Sequence, residues 1–169
     1  MTVKRLCYIV MLTAILFVQE EALTFIPNVQ LTFFLIVVYG ATIGIVDGSL
    51  VVITHVLLDN LIMGSFTFYV IAPMLIGYMI ALILGYLLRN KSEFYLALGA
   101  GIAGFIYSMI FWGSTVIFFK VDPIVYIIQD IPFELVLITC NVITVLFLYK
   151  PIKKLILEHY PKKKIVELY

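Results

Sequence analysis

Two short constellations in this 169-residue chain hold the residue types that acid–base, metal or polar-ligand chemistry needs. His55 and Asp59 are four residues apart, which in a helix puts an imidazole and a carboxylate on one face. Farther along, Asp130, Glu134 and Asn141 follow one another at intervals of four and seven, again a single helical face. They belong to the run Asp130-Ile131-Pro132-Phe133-Glu134 that continues to Tyr149-Lys150-Pro151. A histidine with three carboxylates has the donors for a metal ion. However, no HExxH, no paired acidic motif and no cysteine at ligand spacing accompanies them. No serine or cysteine stands beside a base in triad-like spacing, and no glycine-rich phosphate loop occurs, so the chain is not expected to hydrolyse nucleotide. The structural reading of these residues is helix capping and interhelical hydrogen bonding. A ligand pocket uses more of them, because Asn and Asp can pair with a polar organic molecule. Tyr126, Tyr69, Phe66 and Trp112 add rings that can stack on it. No metal and no cofactor is expected.

These polar residues sit in an apolar setting. Hydrophobic residues make up 64% of the chain and charged residues 12%, half the share that solvates an ordinary soluble domain. A single soluble domain of this length has no way to hide so much apolar surface, so an integral membrane protein is expected. The first apolar run follows Lys4 and Arg5 as a signal peptide would. It continues to about Phe25 without an A-x-A cleavage pattern, and so reads as a first span. A spanning helix needs about 20 apolar residues, and six segments fit between the polar breaks. They run from about 3–23, 29–45, 46–63, 68–88, 94–119 and 124–149, with a basic tail over 150–169, in one domain covering 1–169. The fold class expected is an all-α membrane protein, a compact bundle of six transmembrane helices with an outward-facing pocket.

Orientation follows from the cations, which stay cytoplasmic in short loops. With six spans both termini share a side. Of the 11 Lys and Arg residues, all but Lys120 then lie on that side, so N- and C-termini are expected in the cytoplasm. Lys162, Lys163 and Lys164 fit this topology and an anionic lipid surface. Glu20, Glu21, Asn28, Gln30, Asp59, Asn60, Asp122, Gln129 and Asp130 fall in the outer loops or outer parts of spans. His55, Glu134 and Asn141 lie deeper, and the inner halves are expected to carry almost no ionisable groups. One-sided polarity fits a pocket open to the outside, whereas an ion path continues across the membrane.

Small residues predict close helix packing. Gly40, Gly44 and Gly48 recur every four residues, as do Gly99 with Ala103 and Ala100 with Gly104. Such rows let backbones approach in lipid. Cys7 and Cys140 lie in separate spans and read as packing residues. No basic–aromatic patch of the nucleic-acid kind occurs.

Six spans in a chain this short, with outer-half polarity and an inside basic tail, resemble the substrate-binding S components of energy-coupling factor (ECF) transporters. The closest parallels are Phe25-Ile26-Pro27-Asn28-Val29-Gln30-Leu31-Thr32 and the last span, Asp130-Ile131-Pro132-Phe133-Glu134 with Asn141 and Tyr149-Lys150-Pro151. The resemblance implies a non-enzymatic subunit of a prokaryotic plasma membrane. Such a subunit captures a vitamin or related micronutrient outside and delivers it by toppling. It works with a transmembrane coupling subunit and two cytoplasmic ATPases. The resemblance implies Asn28 and Gln30 as part of a gate. It implies Asp59, Asn60, Tyr126, Gln129, Asp130, Glu134 and Asn141 as pocket wall, and Val10, Ala14 and Val18 as the row that docks on the coupling subunit. That row is bulkier than the family's usual alanines. Ile138, Thr139 and Cys140 stand where a histidine is expected, which leaves the substrate open.

Three other classes fit parts of the chain. The rod-shape-determining D family has similar length and span number, and Leu58-Asp59, Gly64 and Ile76-Gly77-Tyr78 can be read that way. It gives no account of the polar outer part of the sixth span. A small intramembrane enzyme would use His55, Asp59 and Glu134. A self-sufficient carrier would be expected to show an inverted repeat or a pair of broken helices, and neither is evident.

Overall fold

A computed structural model describes residues 2–26 and 29–160. Its elements are α1 (Val3–Leu23), α2 (Thr32–Thr42), α3 (Gly44–Ile62), α4 (Phe68–Leu88), α5 (Glu93–Phe119) and α6 (Pro123–His159), with no strand among the described residues. Five of the six helices are long and apolar enough to cross a membrane. The protein is a multi-pass helical membrane protein.

The exception is α2. The expected span over 29–45 contains a helix of only 11 residues, roughly 16 Å long at 1.5 Å per residue and too short to cross a bilayer alone. Its position explains its composition. Nine of those residues, Thr32 through Gly40, are buried, and α2 packs against all five other helices. A helix that is apolar all round belongs in the middle of a bundle.

The corner between α2 and α3 is made by Gly44, whose φ of +82° lies in the left-handed region open to glycine. A side chain at Gly44 would meet nothing within 4 Å, so this glycine turns the chain and does not pack. Its neighbours in the expected row do pack. Cβ atoms at Gly40 and at Gly48 would both run into Leu82 of α4, so α2 descends and α3 returns along the same stretch of α4. The contact is reciprocal, because a Cβ at Gly85 of α4 would lie 2.2 Å from the Val37 carbonyl oxygen of α2. The row in α5 divides its work. Gly99 faces Leu88 of α4, while Gly101 faces Val142 and Ile138, and Gly104 faces Asn141 and Leu137 of α6.

Helix ends and interruptions are satisfied locally. Asp122 caps α6 by accepting the N–H groups of Ile124 and Val125 at 2.9 and 3.1 Å, with Pro123 in the first turn. Pro73 inside α4 cannot donate to the carbonyl of Tyr69, and the Ser114 hydroxyl of α5 donates to that carbonyl instead, at 2.8 Å. The sixth helix is 37 residues long, roughly 55 Å. It therefore runs past the expected end at 149, and the first part of the expected basic tail, through His159, is helical. Asn28 and Lys162–Lys164 lie outside the described residues.

Lys91, Lys150, Lys153, Lys154 and Arg5 gather at one end of the bundle around the α2–α3 corner; this is the basic end below.

Candidate functional site

At the opposite end, a belt of polar side chains lies inside the bundle, and α1 supplies its centre. Ile9, Leu12, Thr13 and Leu16 form the buried face of α1, and one further turn along that face is Glu20. Its Oε2 stands 2.8 Å from His55 Nε2 on α3. The same oxygen accepts from the Thr32 hydroxyl of α2 at 3.2 Å, and Oε1 accepts from the Tyr78 hydroxyl of α4 at 3.3 Å. One carboxylate thus ties together four helices. His55 is fully buried, its Nε2 approaches Glu20 off the line of a well-formed hydrogen bond, and its Nδ1 has no partner among the described residues.

Gln19 prepares the adjoining stretch. Its side-chain oxygen accepts the Leu31 N–H at 3.0 Å, and its amide nitrogen donates to Thr32 Oγ1 at 2.8 Å. The N-terminus of α2, which lacks a side-chain cap of its own, is completed from α1. On the far side of this segment the Cys140 thiol of α6 donates to the Gln30 carbonyl at 3.8 Å. Non-helical backbone at this depth is tolerated where protein surrounds it, and here α1 and α6 flank it. Beneath lies an aromatic group. Tyr78 stacks on Tyr107 of α5 at 5.3 Å between centroids, and Phe33 sets its edge against both rings.

The seam between α5 and α6 differs in kind. Asn141 is fully buried, Glu134 is buried at 9% exposure, and none of their four side-chain polar atoms has a hydrogen-bond partner among the described residues. The antiparallel register that sets Gly104 against Leu137 and Asn141 brings Ser108 to the level of Glu134. Buried polar atoms without partners cost free energy, so this seam is suited to a molecule that both donates and accepts.

The structure divides the expected binding residues. Glu134 and Asn141 share the buried seam, and Asp59 is buried on α3 one turn beyond His55. Asn60 is occupied by packing: its amide donates to the Val56 carbonyl at 2.9 Å and approaches Met74 Sδ at 3.2 Å, and its oxygen accepts from Ser65 at 3.1 Å. Tyr126 and Asp130 are half-buried, Gln129 is exposed, and Gln30 enters through its backbone carbonyl. No part of α3 packs on α6; α2 and the segment before it separate the two. His55, Asp59 and Glu134 therefore do not form a single cluster, and no group of three metal-ligating side chains occurs among the described residues. Of the expected stacking rings, Tyr69 packs against Phe118 and Phe119, and Trp112 donates to the Pro123 carbonyl at 3.1 Å. Val10, Ala14 and Val18 form an exposed row on α1.

Two features lay outside the sequence reading. Glu20 reads as the end of a span, yet its place one turn beyond Leu16 puts its half-buried carboxylate on the packed face of α1. Tyr78 sits on the row Gly77, Ala81 and Gly85, a small-residue stripe that identifies the packed face of α4. Almost no ionisable groups are expected in the inner halves, and at the basic end one buried acid stands out. Asp47, in the first turn of α3 at the basic end, is 3% exposed. It binds the Arg5 guanidinium through both carboxylate oxygens, with Arg5 Nε at 2.7 Å, and accepts from the Tyr160 hydroxyl. An open cavity of about 1140 Å³ adjoins this cluster, and none of the eight expected binding residues that are described lines it.

Comparison with family models, curated proteins and solved structures finds no match to this chain.

Proposed function

We propose that this protein is a membrane-embedded binding subunit of the ECF type, with its basic end in the cytoplasm. It captures a small polar, vitamin-like molecule from the outside. In this reading a transmembrane coupling subunit and two ATPases drive delivery, and the exposed α1 row of Val10, Ala14 and Val18 meets the coupling subunit. The observation that carries the reading is the α5–α6 seam, where Asn141 presents buried polar atoms with no partner among the described residues beside a buried Glu134 that faces only the Ser108 hydroxyl. A ligand carrying a donor and an acceptor compensates them. The segment before α2 covers that region as a gate, and the polar belt around Glu20 and His55 forms the floor on the α3 side.

The test is mass spectrometry of small molecules released on denaturing the purified, detergent-solubilised protein, followed by calorimetric titration of what is found. The expected result is one vitamin-like compound in stoichiometric amount, bound more weakly by Asn141→Ala and by Asp59→Ala. Protein that releases no such compound and captures none from a vitamin panel overturns the reading.

A further inference from the structure

The cavity at the basic end has no part in that proposal, and its chemistry is of another kind. It is enclosed by the α2–α3 corner, the start of α5 and the last turns of α6. Five cations line it, Arg5, Lys91, Lys150, Lys153 and Lys154, together with three carboxylates. The carboxylates are each engaged: Asp47 with Arg5 and Tyr160, Glu93 with Lys150 at 2.7 Å, and Glu158 with Lys154 at 3.9 Å. Lys91 and Lys153 have no carboxylate partner among the described residues, so the cavity carries two uncompensated positive charges.

Two further observations give this charge a direction. Both α3 and α5 begin at the cavity wall, at Gly44 and Glu93, and neither N-cap residue makes a side-chain hydrogen bond to the first turn. Helix N-termini offer free N–H groups and a partial positive charge, which suits an anion, and the lack of a side chain at Gly44 leaves the approach open. Independently, Tyr149 lines the cavity at 4% exposure, and its hydroxyl is buried with no partner among the described residues. The Lys153 ammonium lies over that ring, 5.1 Å from its centroid, which holds one of the unpaired cations against the residue that bears the unpaired hydroxyl. A diffuse basic surface needs no buried donor.

We propose that this cavity binds a phosphate ester, with Lys91 and Lys153 matching its charge, the Tyr149 hydroxyl donating to it, and the starts of α3 and α5 facing it. A volume of about 1140 Å³ is far larger than a phosphate group alone, and Ile43, Ile45, Val46 and Leu157 supply apolar wall for the remainder. An anionic phospholipid and a soluble phosphorylated compound both offer this combination.

Native mass spectrometry of the full-length protein in detergent separates these sources. Its probes are dihexanoyl phosphatidic acid, dihexanoyl phosphatidylcholine and glycerol 3-phosphate. The expected result is that phosphatidic acid binds at least about tenfold more tightly than phosphatidylcholine. The double variant Lys91→Gln/Lys153→Gln should lose about tenfold or more of that affinity. Tyr149→Phe, which changes no charge, should lose about fivefold. Competition by glycerol 3-phosphate identifies a soluble ester as sufficient; failure to compete identifies a lipid that needs its chains. Lys4→Gln, on the same end but not lining the cavity, should leave affinity unchanged. Thermal unfolding of each variant checks that the fold is retained. Equal binding of the two lipids overturns the proposal. So does an unchanged affinity in the double variant or in Tyr149→Phe, or a loss in Lys4→Gln as large as in the double variant.

Discussion

The two ends of the bundle treat buried charge in opposite ways. At the basic end Asp47 is answered from within the chain. Arg5 reaches it from α1, and Tyr160 reaches it from just past α6, where the Tyr160 ring also sets its edge against Tyr8 at 5.5 Å. At the other end the α5–α6 seam buries Glu134 and Asn141; only the Ser108 hydroxyl faces Glu134, and Asn141 has no partner among the described residues. The first arrangement fixes three chain segments relative to one another. The second gives the packing no hydrogen bond and costs desolvation. What differs is whether the protein supplies the partner, and that separates a clasp from the binding site we propose. The Glu20 cluster stands between these extremes, since it ties α1 to three other helices yet His55 Nδ1 has no partner among the described residues.

Both ends depend on one shared joint, and breaking it has the largest expected effect. A methyl group at Gly85 would sit 2.2 Å from the Val37 carbonyl, and the obstacle is backbone, which cannot rotate aside. Gly85→Ala should cost about 3 kcal/mol of stability, at the upper end of ordinary overpacking. The cost should appear as a lower midpoint of thermal unfolding in detergent. Gly113→Ala, where nothing lies within 4 Å, is the control and should change nothing. A normal midpoint for Gly85→Ala would mean that α2 and α4 do not pack as described. Next in size is Asp47→Ala. Removing one partner of a buried pair costs about 3–5 kcal/mol. The Arg5 side chain keeps 21% exposure and can rehydrate, so about 2 kcal/mol is expected, again read as a drop in midpoint. No loss would show that the clasp holds nothing together.

How much of this was legible beforehand follows from the period of the pattern. Helix existence was readable because apolar runs between charged breaks are long, and α1 and α4 begin and end where hydropathy places them. The short α2 was hidden by the same signal. Val29 and Leu31 extend the apolar run before Thr32 with only Gln30 between them, and the side chain of Gln19, from another helix, accepts the Leu31 N–H where the helix starts. The glycine row was read as one packing face, but Gly44 turns the chain while Gly40 and Gly48 touch α4; spacing alone does not distinguish φ > 0 from close approach. Among the candidate site residues, Glu134 and Asn141 stand out in the sequence because a polar group in an apolar run is conspicuous. Asn60 was conspicuous for the same reason, yet its bonds to Val56, Met74 and Ser65 are spent on packing. Asp47 was overlooked because it looks like an ordinary first-turn acid next to a loop. Its partners are 42 and 113 residues away.

Asn141→Leu sharpens the contrast, because stability and binding should respond with different signs. Leu keeps the branching and heavy-atom count of Asn with bulkier tips, accommodated against the side-chain-free Gly104, and a polar group without a partner leaves the seam. Unfolding should therefore be unchanged or shifted upward by up to about 1 kcal/mol. Ligand affinity should fall by about tenfold or more, as one buried hydrogen bond to the ligand is lost. Stability that falls as in Asp47→Ala would make Asn141 part of the packing and not of the site.

The smallest effect is expected at Tyr78→Phe. The change keeps the ring that stacks on Tyr107 and removes only the hydroxyl that donates to Glu20 at 3.3 Å. His55 and Thr32 still face that carboxylate, so the loss should stay near the lower end for a neutral hydrogen bond, about 0.5 kcal/mol. The informative measurement is a double-mutant cycle of thermal unfolding with His55→Gln. If Glu20 is shared among its partners, removing one makes the others matter more, and the two changes together should cost more than their sum. Strict additivity would show that Tyr78 and His55 do not act on the same carboxylate. A loss for Tyr78→Phe alone as large as that for Asp47→Ala would place the Glu20 cluster with the clasp at the basic end, as a structural tie rather than the floor of a binding site.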